Sequence, residues 1–184
     1  MFKIVSFSDD LNLENFYKTA LEKGYKNNSS RFWLKDCFRN ERESETWILY
    51  YNDEPVGSVS AHTFDNIEKN SYRICARTCV FTDKIPTPSL RTRNQIITHQ
   101  HVTAQFLIPT CIEWAPRDAN LYITSNELET GTQRHVHNIF APLMEKQGIM
   151  KRVKDIEYRG TTQTVWSFDS NEFYKQLYSY PRWQ

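Results

Sequence analysis

The chain has 184 residues, and 23 Lys+Arg against 22 Asp+Glu leave a net charge of +1, no electrostatic footprint for nucleic acid or an anionic membrane. No stretch approaches the roughly 20 consecutive apolar residues of a membrane span. The N-terminus, Met-Phe-Lys-Ile-Val-Ser, lacks the apolar run and cleavage site of a signal peptide, so a single cytoplasmic domain over 1–184 is expected.

Phe2–Phe7 alternates apolar and polar residues and reads as a first strand. Leu13, Phe16, Tyr17, Ala20 and Leu21 form an apolar stripe at helical spacing, closed by Gly24, and Ser30–Phe38 reads as a second helix. Thr46–Tyr51 and Val56–His62 are strands joined through Asn52-Asp53-Glu54-Pro55, a hairpin signal; Gly57 points to a bulge or to a backbone passing close by. Tyr72–Phe81 is a long strand. Regular alternation places Tyr72, Ile74, Ala76, Thr78 and Val80 on one face and Arg73, Cys75, Arg77, Cys79 and Phe81 on the other.

Lys84–Ser89 carries Pro86 and Pro88 and reads as a loop. Ile97, His101, Ala104, Ile108 and Cys111 then recur at helical intervals, predicting a buried helix kinked at Pro109 and ended before Pro116. Leu121–Ser125 is a strand. Val136, Ile139, Phe140 and Leu143 predict another helix, bent at Pro142 and stopped by Gly148. Ile156–Tyr158 and Thr164–Phe168 flank a turn at Arg159-Gly160, and Asn171–Tyr178 reads as a short terminal helix. Strands alternating with helices predict an α/β domain with a mixed sheet.

Several residue types invite chemistry by themselves. Arg73 and Arg77 share one face of a central strand, where arginine needs an anionic partner: a substrate carboxylate or phosphate, acids on adjacent strands, or solvent. His99-Gln-His101 and His135-Val-His137 suggest zinc, but residues two apart on a helix point to nearly opposite sides, so no metal is expected. His101, on the apolar stripe, reads as a hydrogen-bonded core residue. Cys37, Cys75, Cys79 and Cys111 include no Cys-x-x-Cys pair and read as reduced thiols packed as small hydrophobes.

The stretch Asn138-Ile-Phe-Ala-Pro-Leu-Met-Glu-Lys-Gln-Gly148, between a strand and a two-stranded ribbon, resembles the C-terminal half of the GCN5-related N-acetyltransferase (GNAT) family. The order β–α–α–β–β–β–α–β–α–β–β is similar to that family over essentially the whole chain. The resemblance implies a single-domain GNAT-like α/β fold: a mixed, mostly antiparallel sheet of about seven strands flanked by about four helices. It implies acetyl-CoA or another acyl-CoA as cofactor and a small-molecule or protein amine as acceptor. The pyrophosphate would lie on the turn between Asp83 and Gln95, where Arg91-Thr-Arg-Asn-Gln-Ile96 is the nearest match to the family motif. Asn94 and Ile96 replace its two small positions, Arg91, Thr92, Arg93 and Asn94 become the candidate cofactor contacts, and Asn138 joins them.

The family's chemistry needs a base for the amine and an acid for the leaving thiolate. Tyr72–Phe81 contains no carboxylate, so His62 and Asp83 are the candidate bases. Met144 stands where the family often carries an acidic tyrosine, leaving Tyr122 or Ser125 to replace it. Arg73, Arg77 and Trp47 are candidate substrate contacts, although core packing explains a large aromatic equally well. The alternatives are a GNAT-fold binding or regulatory module without catalysis, or a virion or host-interaction protein. The last rests on Arg77-Thr-Cys-Val-Phe81 and Glu157-Tyr-Arg-Gly160, which resemble segments of tailed-phage proteins and would place the chain in host cytoplasm. A homodimer paired through terminal strands and the aromatic tail Tyr178–Trp183 is a further expectation.

Overall fold

The computed structural model describes residues 1–6, 16, 38, 40–85, 101–126, 136–158 and 160–179. Seven strands form one sheet: β1 Phe2–Ser6, β2 Ser44–Tyr51, β3 Glu54–Thr63, β4 Ser71–Val80, β5 Asn120–Ser125, β6 Met150–Tyr158 and β7 Thr161–Phe168. Their order is β1-β2-β3-β4-β5-β7-β6. Among the described residues, β4 and β5 pair in parallel and the other pairings are antiparallel. The mixed, mostly antiparallel sheet is the one expected. The described helices are α1 Ile108–Trp114, α2 Ala141–Lys146 and α3 Ser170–Ser179. The helices predicted near the N-terminus lie outside the described residues, apart from Phe16 and Phe38.

Turn chemistry fixes the hairpins. Asn52 and Asp53 both take left-handed backbone (φ 49° and 65°), which makes the β2–β3 connection a two-residue turn of the twist-compatible kind. Strand β3 therefore begins at Glu54, two residues earlier than expected. Gly57 fulfils both readings made of it. The β2–β3 register shifts beside it, between Leu49 and Tyr50, and a Cβ on it would sit 3.0 Å from the Cys79 carbonyl oxygen.

Prolines shape two helices. Each lacks an N–H, and its ring collides with the carbonyl four residues back. A kink is the usual response. Here the chain widens instead into π turns, Thr103–Leu107 ahead of Pro109 and Val136–Phe140 ahead of Pro142, each proline being the second residue of the α-helix that follows. The extra residue rotates the buried stripe. Val102, Thr103, Leu107, Ile108 and Cys111 are buried, whereas His101 and Ala104 are only half-buried, contrary to the expected stripe.

Helix α2 ends as the sequence predicts. Gly148 takes φ +77°, its N–H donates to the Glu145 carbonyl, and the Ile149 N–H reaches back to the Met144 carbonyl. That pair of bonds is a Schellman cap, with Met144 and Ile149 both on the main core as its hydrophobic clasp. Met144 is thus engaged in ending the helix. Asp169 caps α3 through its Oδ1, 2.9 Å from the Glu172 nitrogen.

Strand β6 is longer than the expected Ile156–Tyr158. Lys151 to Asp155 are all exposed on this edge strand, so no alternation marks them. A register shift between Arg152 and Lys154 and three basic side chains guard the edge against stray pairing. The main core joins Trp47, Leu49, Val59, Tyr72, Ile74 and Val80 of the sheet to Leu107, Ile108 and Cys111, and onward to Phe140, Ala141 and Trp166. A smaller cluster of Phe64, Tyr122, Tyr158 and Val165 lies on the other face.

Gly57 supplies a test of the sheet geometry. Strand propensity favours alanine over glycine, yet Gly57→Ala drives a methyl against the Cys79 carbonyl and is expected to cost about 1–3 kcal/mol. Urea denaturation checks this; an unchanged or raised midpoint would contradict the packing.

Candidate functional site

The central strands part company. Strands β4 and β5 pair only at Ser71↔Asn120, Tyr72↔Leu121 and Arg73↔Tyr122, although β4 runs on to Val80 and β5 to Ser125. The cause lies in β4. Cys75 and Arg77 both adopt left-handed backbone (φ 56° and 53°), and the β3 register shifts between Ser58 and Ser60 and again between Ser60 and His62. Two such bulges bend and twist the strand away from its parallel neighbour. Thr78 Oγ1 steadies the first by donating to the Cys75 carbonyl at 2.8 Å.

The bulges also undo the expected division of faces. Cys75 packs against the core cluster that holds Tyr72, Ile74 and Val80, whereas strict alternation puts it with the arginines. A left-handed residue breaks period two. Arg77 remains on the arginine side, its guanidinium 4.8 Å from the Phe38 ring.

At the vertex of the opening, three sequence-predicted residues fall in one row. His62 is opposite Arg73, and Arg73 is opposite Tyr122, in adjacent strands and on one face. His62 is fully buried, and β3 continues past it to Thr63. Its ring stacks on Phe38 at 4.7 Å and lies parallel to Tyr158 at 6.5 Å. Nδ1 stands 2.6 Å from the Thr63 carbonyl, which can only accept, so Nδ1 carries the proton and neutral His62 keeps its lone pair on Nε2. Arg73 lies 5.3 Å over the Tyr158 ring, and Tyr158 donates to Glu41 at 3.2 Å. Both arginines thus rest on aromatic faces, where the ring quadrupole attracts a cation.

Tyr122 closes the row. Its hydroxyl donates to Glu68 at 2.5 Å, and burial together with that carboxylate pushes the phenol up to about 12. It holds its proton firmly and shares it with Glu68 only as a hydrogen bond. Glu68, in the β3–β4 connection, brings a carboxylate to the vertex, and Glu41 brings another, 3.8 Å from His62 Nδ1; β4 itself supplied none.

The remaining candidates disperse. Asp83 sits exposed in the short 3-10 turn Thr82–Lys84, beyond the far end of β4 from the row. Trp47 is on the opposite face, buried in the main core and edge-on to Trp114 at 5.9 Å. Asn138 is exposed within the π turn before α2. Arg91, Thr92, Arg93 and Asn94 lie outside the described residues, as does Ile96. Among the described residues no group of three or more His, Cys, Asp or Glu is arranged to hold a metal ion, and no helix is long and apolar enough to cross a membrane.

Ser125 lies at the open end of β5 and is fully buried. Trp166 Nε1–H donates to its Oγ at 2.8 Å, and His137 Nδ1 stands 2.9 Å from the same oxygen. Sequence reading weighed His137 only as half of a metal pair. Its position one residue before Asn138 was the available signal.

No protein-family model matches the chain, and no curated protein matches it by sequence. Solved structures do. An aminoglycoside acetyltransferase AAC(6')-Ib in complex with coenzyme A and kanamycin superposes with TM-score 0.58 over 96% of this chain and 99% of that one, at 10% identity. The fold is that of the GNAT acetyltransferases. A probable acetyltransferase from Staphylococcus epidermidis follows the same path with TM-score 0.54, 11% identity, and coverage of 92% and 98%. An acyl-CoA N-acyltransferase from Pseudomonas aeruginosa gives 0.53, 7%, and coverage of 92% and 99%. At such identities the likeness shows the GNAT fold alone.

The Tyr122–Glu68 bond predicts a pH signature. A phenol whose folded pKa is raised from 10.0 to about 12 contributes stability that is complete below pH 10 and lost as pH climbs toward 12. Tyr122→Phe should therefore be less stable than wild type at pH 8, by about 0.5–1.5 kcal/mol for the lost hydrogen bond. The gap should narrow at pH 11. Urea unfolding at both values checks it, and a gap independent of pH would contradict the assignment.

Proposed function

We propose that this chain is an acyl-CoA-dependent N-acyltransferase, moving an acetyl or other acyl group to an amine on a small molecule or protein. The observation that carries the reading is the opening beyond the Arg73–Tyr122 pair. Two parallel strands that part leave facing rows of backbone N–H and C=O groups, which require partners. An extended arm built of amides and ending in a thiol satisfies such edges as an added strand does. Bound there, acyl-CoA would supply a thioester-activated acyl group.

The protein's own residues divide the work by face. The segment of the sequence carrying Arg91, Thr92, Arg93 and Asn94, which comes after β4, is the proposed seat of the pyrophosphate, with Asn138 as a further contact. The row of His62, Arg73 and Tyr122 borders the opposite side, where an acceptor amine would enter. There, Nε2 of His62 and the Glu68 carboxylate are the basic atoms, and Arg73 and Arg77 are the cations that would orient an acceptor.

A second reading draws on one observation. Met144, clasped into the Schellman cap of α2, has no proton to give, as a binding or regulatory module would tolerate.

Thermal melting with acetyl-CoA tests the proposal. A ligand bound only by the folded state raises the midpoint, by about 2.7 kcal/mol of stability at a hundredfold excess over Kd. Arg91→Ala and Arg93→Ala are expected to reduce the shift. No shift at millimolar acetyl-CoA would remove both the acyltransferase and the cofactor-binding module; a shift with no free thiol released across a panel of amines would favour the module.

A further inference from the structure

Resting on the acyl-CoA reading, we propose that His137 is the proton donor to the departing sulfur, positioned for that role by Ser125 and Trp166. The argument begins with the hydroxyl of Ser125. An indole N–H only donates, so Trp166 occupies one lone pair of the Ser125 oxygen from 2.8 Å. The other partner is His137 Nδ1 at 2.9 Å. In the arrangement proposed for neutral His137, the serine O–H donates to Nδ1 and the ring proton sits on Nε2. When His137 is protonated, Nδ1–H donates to the second lone pair of the serine oxygen, and Nε2 again bears a proton. Ser125 thus makes His137 an Nε2–H donor in both charge states, as an outer partner fixes the tautomer of a histidine that acts through its other nitrogen.

Placement supports the role. Ser125 belongs to the length of β5 that has already left β4, whose last shared pair is Arg73↔Tyr122. His137 enters from the π turn Val136–Phe140, and the winding that accompanies Pro142 sets it out of register with α2. Single-turn π segments recur where a side chain must be re-aimed. His137 is half-buried, and its Nδ1 side is held by Ser125. Among the described residues, Asp155 on β6 interacts electrostatically with it, and Arg152 is bound to Asp155 at 2.9 Å. The Asp155 carboxyl is held below its usual range by the Thr164 hydroxyl, by Arg152 and by positive charge on His137. A carboxylate is therefore at hand to offset an imidazolium.

The step balances simply. The amine nitrogen bonds to the acyl carbon as the carbon–sulfur bond breaks, and the bonding pair leaves on sulfur. The Nε2 proton of imidazolium His137 moves to that sulfur, giving a free thiol and a neutral ring. The surplus proton of the amine passes by way of the acceptor-side base, His62 Nε2 or the Glu68 carboxylate, to solvent, and solvent returns one to His137.

Two readouts test this without turnover. Coenzyme A is bound to wild type, His137→Gln and Ser125→Ala, and thiolate absorbance is followed against pH. A donor beside the sulfur stabilises its thiolate, so wild type is expected to hold at least tenfold more bound thiolate than His137→Gln at the same pH, with Ser125→Ala between them. Equal titrations in wild type and His137→Gln, with equal coenzyme A affinity, would overturn the proposal. Nitrogen-15 spectra of the histidine rings in the free protein give the second readout: neutral His137 is expected as the Nε2–H tautomer, and an Nδ1–H tautomer also overturns it. If coenzyme A fails to bind wild type at all, the acyl-CoA reading itself falls and takes this role with it. Binding with an unaltered thiol removes only the role of His137.

Discussion

The site depends on one constraint: β4 cannot follow β5 beyond Arg73. A parallel pair normally runs the length of both strands, since each added residue gains bonds at little further cost in ordering. Here two non-glycine residues in left-handed geometry, Cys75 and Arg77, coil β4 away after three shared positions. Each such residue costs on the order of 1–3 kcal/mol and persists only where surrounding structure over-determines it. The over-determination is visible in the antiparallel hold of β3, resumed at Ser58↔Cys79 and Gly57↔Val80 beyond both bulges. The Ser58 hydroxyl and the Cys79 thiol also meet at 3.3 Å, wholly buried.

From that parting the two sides of the sheet acquire different characters. One is covered by the turns leading into α1 and by α1 itself, and its core is apolar, with Trp47, Tyr72 and Trp114 meeting edge to face. The other carries an aromatic stack, Phe38, His62 and Tyr158, with arginines laid over its two outer rings. Phe38, His62, Tyr158 and Arg77 are all buried, so this stack is a packed layer in which each guanidinium is held against a ring. The two-sided arrangement suits a transfer reaction in the proposed sense, with donor and acceptor approaching from opposite sides of one gap.

Much of this was legible from the chain. Hydrophobic alternation located the strands, Asn52-Asp53 and Gly160 marked hairpin turns, and Gly148 stopped α2 where left-handed backbone was needed. His62, Arg73 and Tyr122 were each singled out for their chemistry, but nothing in their spacing showed that they form a row, since register between strands is a tertiary property. The bulges in β4 were hidden because left-handed backbone is normally announced by glycine or asparagine, and neither cysteine nor arginine gives that signal. The same bulges defeated the period-two assignment of Cys75. Prolines 109 and 142 announced a disturbance but not its form; a π turn and a kink have the same sequence cause. Trp47 was ambiguous by nature, as a large aromatic serves a core and a cleft equally. The bond between Ser125 and His137 joins a strand end to a helix start across a stretch whose path no local pattern fixes.

Amide hydrogen exchange along the parted strands, with and without coenzyme A, addresses the opening and its proposed occupant together. In the free protein, the β5-facing amides of Ile74–Val80 and the β4-facing amides of Ile123–Ser125 should exchange faster than those of Ser71–Arg73. Saturating coenzyme A should slow them at least tenfold. Protection that is already uniform along β4 and β5, or that ignores coenzyme A, would contradict the account.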